Sequence, residues 1–540
     1  MRSPREAAAS GAGLVINVAE YGSLGTANDS AAFQAAFNAA SAGGGAVVVA
    51  PYGSYNVTNL HVGSGVKVWL PGVTLVNIGP EGGSRASCLI LNSGETSEVL
   101  IYGVEIDGSN AYRETDGIVL QGTHNRVTSA YVHDVPRYGA YVKPDTAPAT
   151  AHIAVDHCRM QRCGNSGIVV GSAANSVTRH TTIFANHVKD CIHAAISITG
   201  ELAVVANNVT EETTPVSEVA ADALTGYSTG DAGLLCIGNS FYTAHNHGVH
   251  LGGNRLTVVG NLIYEPAQSG VYIAEHVVNG EALPTNDFIV ADNTIVSPGT
   301  RDQGQGYGVY AEGASAGVIS GNEIVQPRTI GVSMDKCDTV AITGNVVRAP
   351  ALDSAMELSG CQRIAIAGNT LYDSHGYGVE INDEGTPAST DIAIADNLID
   401  GNPVGGVFVA GGLATRVVVA GNTITGNGGA AVSLSGPENR TAANLTDTSD
   451  TVASDPTLDV GRDVAFATVT GGEAIRELSA ESAEVGRVLA LRFRDGCSLE
   501  AGGNLRLAFN GAGYLDAPAN SVLVLVCDGS DWYQSAGTVD

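Results

Sequence analysis

The stretch GVHLGGNRLTVVGNLI, from Gly248 to Ile263, decides the fold. It holds two short β-like runs with a Gly-Gly-Asn turn between them. Side chains alternate across a strand with period two, so Val249 and Leu251 point one way and His250 the other. Nearly the same phrase returns as GVSMDKCDTVAITGNVV (331–347), AMELSGCQRIAIAGNTL (355–371) and GVFVAGGLATRVVVAGNTI (406–424).

A recurring phrase of this length marks a repeat architecture. The opener, Gly or Ala followed by apolar-x-apolar, begins at Gly117, Gly139, Gly167, Ala195, Gly248, Gly270, Gly308, Gly331, Ala355, Gly378, Gly406 and Ala431, mostly 22 to 28 residues apart. The wide gap after Ala195 holds one more turn, opening near Ala223 and preceded by a long insertion. A second column follows the openers: Asn186, Asn207, Asn239, Asn261, Asn293, Asn322, Asn345, Asn369, Asn397 and Asn422. Three short strands per turn, no helical segment and an Asn column predict an all-β right-handed parallel β-helix with an internal amide ladder at a tight bend. A leucine-rich repeat also carries an Asn ladder, but its L-x-x-L-x-L spacing is replaced here by Val, Ile and Gly. About fifteen turns are expected, from a repeat of about 25 residues.

Composition agrees with an all-β solenoid: 69 Gly, 5% aromatic residues and a length of 540 that supports a large core. The net charge of −29 sets the chain against nucleic acid as a partner. Only Lys67, Lys143, Lys189 and Lys336 are lysines, a balance that fits a saline habitat or a GC-rich genome with a solvated surface. Nine scattered cysteines do not form a disulfide framework; Cys337 and Cys361 hold equivalent places in successive turns and are expected as stacked free thiols. No segment is long and apolar enough for membrane insertion, and MRSPREAAASGAG lacks the apolar run of a signal peptide. Folding in the cytoplasm is expected, with work in a virion or outside the cell.

The chain divides into an N-terminal tail (1–13), a cap (14–56), the parallel β-helix (57–436), a polar linker (437–462) and a C-terminal β-sandwich-like domain (463–540). In the cap, Asp29 or Ser30 is positioned to start a helix with an apolar face of Ala32, Phe33, Ala36, Phe37 and Ala40, ended by Gly43 to Gly45. The pattern Tyr21-Gly22, Asn28-Asp29-Ser30, Gly43 to Gly45 and Pro51-Tyr52-Gly53-Ser54-Tyr55 resembles the start of pectate-lyase-superfamily β-helix proteins. The resemblance implies the fold; that superfamily includes lyases, hydrolases, epimerases and non-enzymes. The layout of cap, shaft and a C-terminal β module with Asp528-Gly529 and Trp532 is similar to phage tailspikes. That implies a homotrimer acting on a polysaccharide.

Outward positions two and four residues past the openers collect Tyr272, Tyr310, Glu312, Asp335, Glu357, Glu380 and Asn382, flanked by Glu275, His276 and Asp383; His250 takes the same outward place one turn earlier. Like charges stacked on neighbouring rungs are unfavourable, so their repetition points to use. Rungs about 4.8 Å apart bring Glu312 and Asp335 near the carboxylate separation of retaining glycosidases, and Asp335 and Glu357 near that of inverting ones. Asp335, Glu357 and Glu312 are therefore the expected catalytic carboxylates, with Tyr272, Tyr310, Glu380, Asn382 and His250 as sugar-binding groups. The expected activity is hydrolysis of a surface polysaccharide. The alternatives are a glycan adhesin without catalysis and a free polysaccharide lyase or epimerase. A uronate lyase requires a base and a group that neutralises the substrate carboxylate, and the patch contains no Lys or Arg. Lys143, Arg137, His193 and His250 lie nearer the N-terminus as material for a second site. His245, His247 and His250 have metal-like spacing, but strand alternation separates them, and neither a metal nor a cofactor is implied. Asp116 in TDGIVL echoes the Asp-Gly-Ile of polygalacturonases without their second Asp pair.

Overall fold

A computed structural model describes residues 14–538 apart from 80–86, 92–95, 112–113, 145–149, 172–177, 212, 214–220, 229–232, 279–280, 284, 301–305, 383–386, 411, 443, 447–448, 454–456, 459–465, 471–472, 479–487, 495–496, 501–502, 507–513 and 518–520. The expected tail at 1–13, the flanking Asp383 and the side chain of His276 lie outside what is described. Two compact units are present, Met1–Arg328 and Thr329–Asp540.

Each unit winds parallel strands into three ladders. The opener strands form the first ladder, the runs such as Gln362–Ala367 the second, and the short strands after each ladder asparagine the third. Among the described residues the third ladder has one strand per turn, eleven in the first unit and five in the second, against about fifteen turns expected. Register is one residue on one: His250 pairs with Tyr272, Tyr272 with Tyr310, and Glu357 with Glu380. Val249–Val259 serves both the first and second ladders as one long strand.

The opener is small because the third ladder closes on it. A Cβ at Gly248 would lie 2.4 Å from Ile263 Cγ2, and one at Gly331 would lie 2.2 Å from Val347 Cγ1. Where the chain turns into the second ladder, one non-glycine residue per turn adopts left-handed backbone: Glu98, His124, His152, His180 and Leu202 have φ between 53° and 60°.

The amide ladder is present, with one correction. Asn186, Asn208, Asn239, Asn261, Asn293 and Asn322 are buried in the first unit, and each of the first five donates Nδ2 to the Oδ1 of the next at 2.9–3.0 Å. In the second unit Asn345, Asn369, Asn397 and Asn422 are buried and each donates likewise to the next at 2.9 Å, ending on half-buried Asn444. Asn208, not Asn207, holds its place: Asn207 is the exposed left-handed residue just before it. The sequence reads Asn-Asn there, and only the bend geometry distinguishes them.

The only α-helix among the described residues, α1 (Ser30–Ala42), buries Ala32, Phe33, Ala36, Phe37 and Ala40, and Phe33 meets Tyr55 with ring centroids 5.4 Å apart. Asp29 precedes the helix without bonding its first turn through the side chain; its carboxylate instead accepts from Thr26 and from the Asn56 amide. In the second unit, ladder strands continue at Arg440–Ala442 and Leu445–Thr446. Beyond them a six-stranded mixed sheet has its own core around Leu489, Leu491, Phe493, Leu523, Leu525 and Trp532. The eight cysteines described are buried and free, Cys337 and Cys361 among them.

Candidate functional site

Register makes one unbroken outward column in the first unit: Tyr141, Val169, Ser197, Thr225, His250, Tyr272 and Tyr310. Its N-terminal part is apolar and covered, with Val119, Tyr141 and Val169 buried together. From His250 onward it becomes a chain of rings. His250 stacks on Tyr272 at 4.7 Å, and Tyr272 on Tyr310 at 5.0 Å and 5°. His247 packs 4.8 Å from Tyr272, and Tyr227 meets His250 edge-on at 5.8 Å.

Two carboxylates stand behind these rings. Asp222, the residue just before its opener, is buried at the turn into the first ladder. Its Oδ1 accepts from Asn246 Nδ2 at 2.7 Å and from the His247 amide at 3.0 Å, and its Oδ2 sits 3.5 Å from His250 Nδ1. Burial alone would raise this carboxyl, but the His250 side chain, the nearby His247 and the backbone donor together hold it below the usual carboxylate range. A carboxylate at Nδ1 favours the Nδ1–H tautomer and leaves Nε2 as the free ring position. His247 is pushed down to about 4 by burial, partly offset by Asp222, and its Nδ1 accepts from the Ser269 amide at 3.3 Å. Glu312 accepts a 2.6 Å hydrogen bond from the Tyr272 hydroxyl. Burial first, and then this carboxylate, hold the Tyr272 phenol well above its ordinary value.

The expected site residues divide between the units. His250, Tyr272, Tyr310 and Glu312 are brought together in the first. Asp335, Glu357, Glu380 and Asn382 lie in the second, all partly exposed as outward positions require. There Asp335 pairs with Lys336 at 2.7 Å, and its ladder partner is Ser359, whereas Glu357 lies opposite Ser333 and Glu380. Burial raises the Glu380 carboxyl, and Ser354 donates to it at 2.7 Å. Phe408, on the next rung, stacks on Tyr377 at 4.6 Å. The sequence reading missed Asp222 and Tyr227; Asp222 was legible only as the residue before the irregular opener at Ala223.

Asp107, His133 and Asp134 bring potential metal-binding atoms within 4.8 Å of one another. Both His133 nitrogens are already engaged, with Asp134 at 2.7 Å and Glu105 at 3.2 Å, and Arg162 grips Asp134 with two 2.6 Å bonds. The Arg162 guanidinium holds the Asp134 carboxyl at about 2, so the group reads as a closed ion-pair network. Arg137 lies over the Tyr138 ring at 4.1 Å and 3.8 Å from buried Asp116.

The right-handed β-helix region family matches residues 87–276 and 282–446. The chain belongs to that family. No curated protein sequence matches it. Among solved structures, gene product 12 of bacteriophage phi29 in its pre-mature form is similar at 12% identity and a TM-score of 0.51, over 91% of this chain and 70% of that one. The A-module of a mannuronan C-5 epimerase from Azotobacter vinelandii matches at 16% identity and a TM-score of 0.32, over 79% and 99%. Tailspike protein 3 of bacteriophage CBA120 matches at 10% and 0.34, over 81% and 60%. At these identities the likeness concerns the fold. The expectation of a glycoside hydrolase is corrected here. Within the chain Glu312 is bound to a phenol and Asp335 to a lysine. Hydrolysis by Asp335, Glu357 and Glu312 is set aside.

Proposed function

We propose that this protein is a polysaccharide lyase or epimerase that removes the proton beside the carboxylate of a uronate unit, at the His250–Tyr272 site. One observation carries the reading. Two rings stacked 4.7 Å apart on the outward face are each backed by a carboxylate, His250 by Asp222 and Tyr272 by Glu312. Backing of this kind positions a proton-transfer group and sets its tautomer. The substrate proton passes to the Tyr272 oxygen as the phenol's own proton passes to Glu312. In an elimination the Tyr272 hydroxyl gives a proton to the departing oxygen as Glu312 returns the one it took, so the substrate proton ends on the leaving group; in an epimerisation solvent returns a proton to the opposite face, and His250 Nε2, bare in this tautomer, accepts a hydrogen bond from the sugar. Both groups line one surface, which suits a syn elimination. Tyr310 supplies a flat face for the neighbouring sugar.

The test is incubation with a panel of uronate polysaccharides in deuterated water. Ultraviolet absorbance of an unsaturated product reads elimination, and deuterium at C5 reads epimerisation. Either signal, lost in Tyr272→Phe, supports the proposal. Binding without either signal across the panel would sink it in favour of the glycan adhesin, a reading favoured by the aromatic stacks Tyr272–Tyr310 and Tyr377–Phe408. A closed ring of three copies at a virion or cell exterior belongs to the same proposal, since cyclic assembly buries one repeated surface. A stable monomer by light scattering refutes that part alone.

A further inference from the structure

Three histidines stand over one another on consecutive turns of the first unit. His124, His152 and His180 each occupy the left-handed position where the second ladder begins, and each is exposed. Ala151 pairs with Arg179 and Ile153 with Thr181, so His152 lies in register with His180. The rings of His124 and His152 are 4.7 Å apart at 11°, and those of His152 and His180 are 4.5 Å apart at 6°.

We propose that this stack binds one divalent transition-metal ion of the zinc, nickel or copper class, held between His152 and either neighbour with water completing its shell. Imidazole is a favoured ligand for these ions. In a tetrahedral shell two zinc–nitrogen bonds of about 2.0–2.1 Å set the nitrogens about 3.3 Å apart, so rotation of these exposed side chains, turning ring edges rather than faces towards the ion, makes the stacked pair a chelating pair. The rigid ladder holds the two backbones at that separation before any ion arrives, which limits the ordering cost.

The surroundings favour a cation. Glu98 takes the same position on the turn before His124, and Leu202 on the turn after His180. The nearby guanidiniums are neutralised: Arg126 pairs with Asp156 at 2.6 Å and Arg179 with Glu201 at 3.0 Å. The net charge of −29 raises the local concentration of cations.

Calorimetric titration of the full, tag-free chain with zinc and with nickel at neutral pH tests this. One ion per chain is expected, with binding lost on acidification as the imidazoles protonate. His152→Asn belongs to both pairs and should weaken binding at least about tenfold. Asn tolerates the left-handed backbone, so the fold should persist. His124→Asn and His180→Asn each leave one pair and should weaken it about twofold, while the double variant should match His152→Asn. The proposal is overturned if neither ion binds, if both His152→Asn and the double variant bind as the parent does, or if His133→Asn removes binding instead.

Discussion

Asn207 and Asn208 are neighbours of identical chemistry, and the fold assigns them opposite importance. Asn208 Nδ2 donates to Ile183 O at 3.0 Å and to Asn239 Oδ1 at 2.9 Å, while its Oδ1 accepts from the Asn186 amide at 2.9 Å and Asn186 Nδ2 at 3.0 Å. In Asn208→Ala the buried Asn186 backbone N–H loses its acceptor outright, while Asn186 Nδ2 keeps Val155 O at 2.8 Å. One orphaned buried donor costs about 1–3 kcal/mol, and the bonds lost at Ile183 O and Asn239 Oδ1 add to it, giving about 2–4 kcal/mol. Asn207→Ala removes an exposed side chain at φ 55° and should cost about 1 kcal/mol, the price of a left-handed alanine. Urea unfolding of both variants measures the difference, and hydrogen exchange at the Asn186 amide reads it locally, since solenoid turns open regionally. If the two variants lie within about 0.5 kcal/mol of each other, the reasoning that assigns the bend to Asn208 fails.

Asp222→Asn keeps the shape but removes the charge behind His250; turnover of a uronate polysaccharide should fall about 100-fold while its binding changes little, as separate kcat and KM values will report. His247 titrates at about 4 in the folded chain against about 6.5 when unfolded, so between these values the unfolded chain holds more protons. Its contribution to stability is present above about pH 6.5 and fades as the pH falls towards 4; the parent's unfolding midpoint should drop through that window more steeply than that of His247→Gln. Because an acidic chain and a polyuronate repel each other, added salt should strengthen their binding, the reverse of a basic groove; weaker binding in salt would point to a cationic site elsewhere.

The fold was legible because its two constraints recur. A small opener is forced by the third-ladder side chain that closes on it, and a buried amide is forced by the bend, so both write a column into the sequence. Their period was enough to place His250, Tyr272 and Tyr310 on the outward face. What the columns could not show was partnership across turns. Asp222 sits in an irregular turn, and its meeting with His250 depends on register through that turn. The acidic residues were over-read for a related reason: Asp335 and Glu357 looked like a catalytic pair by spacing, but Asp335 turns to Lys336 beside it, a choice of rotamer that spacing does not encode. The histidine stack was invisible because its members are separated by whole turns and share no local motif.

The asparagine row also has a direction. Every link from Asn186 to Asn322 runs the same way, Nδ2 of one turn to Oδ1 of the next. Aligned amides polarise one another, as peptide units do along a helix, and each bond strengthens its neighbours. The row therefore behaves as a wire of dipoles inside the first unit rather than as separate clasps. A break at Asn239, mid-row, severs two polarised segments, whereas a break at Asn186 only shortens one.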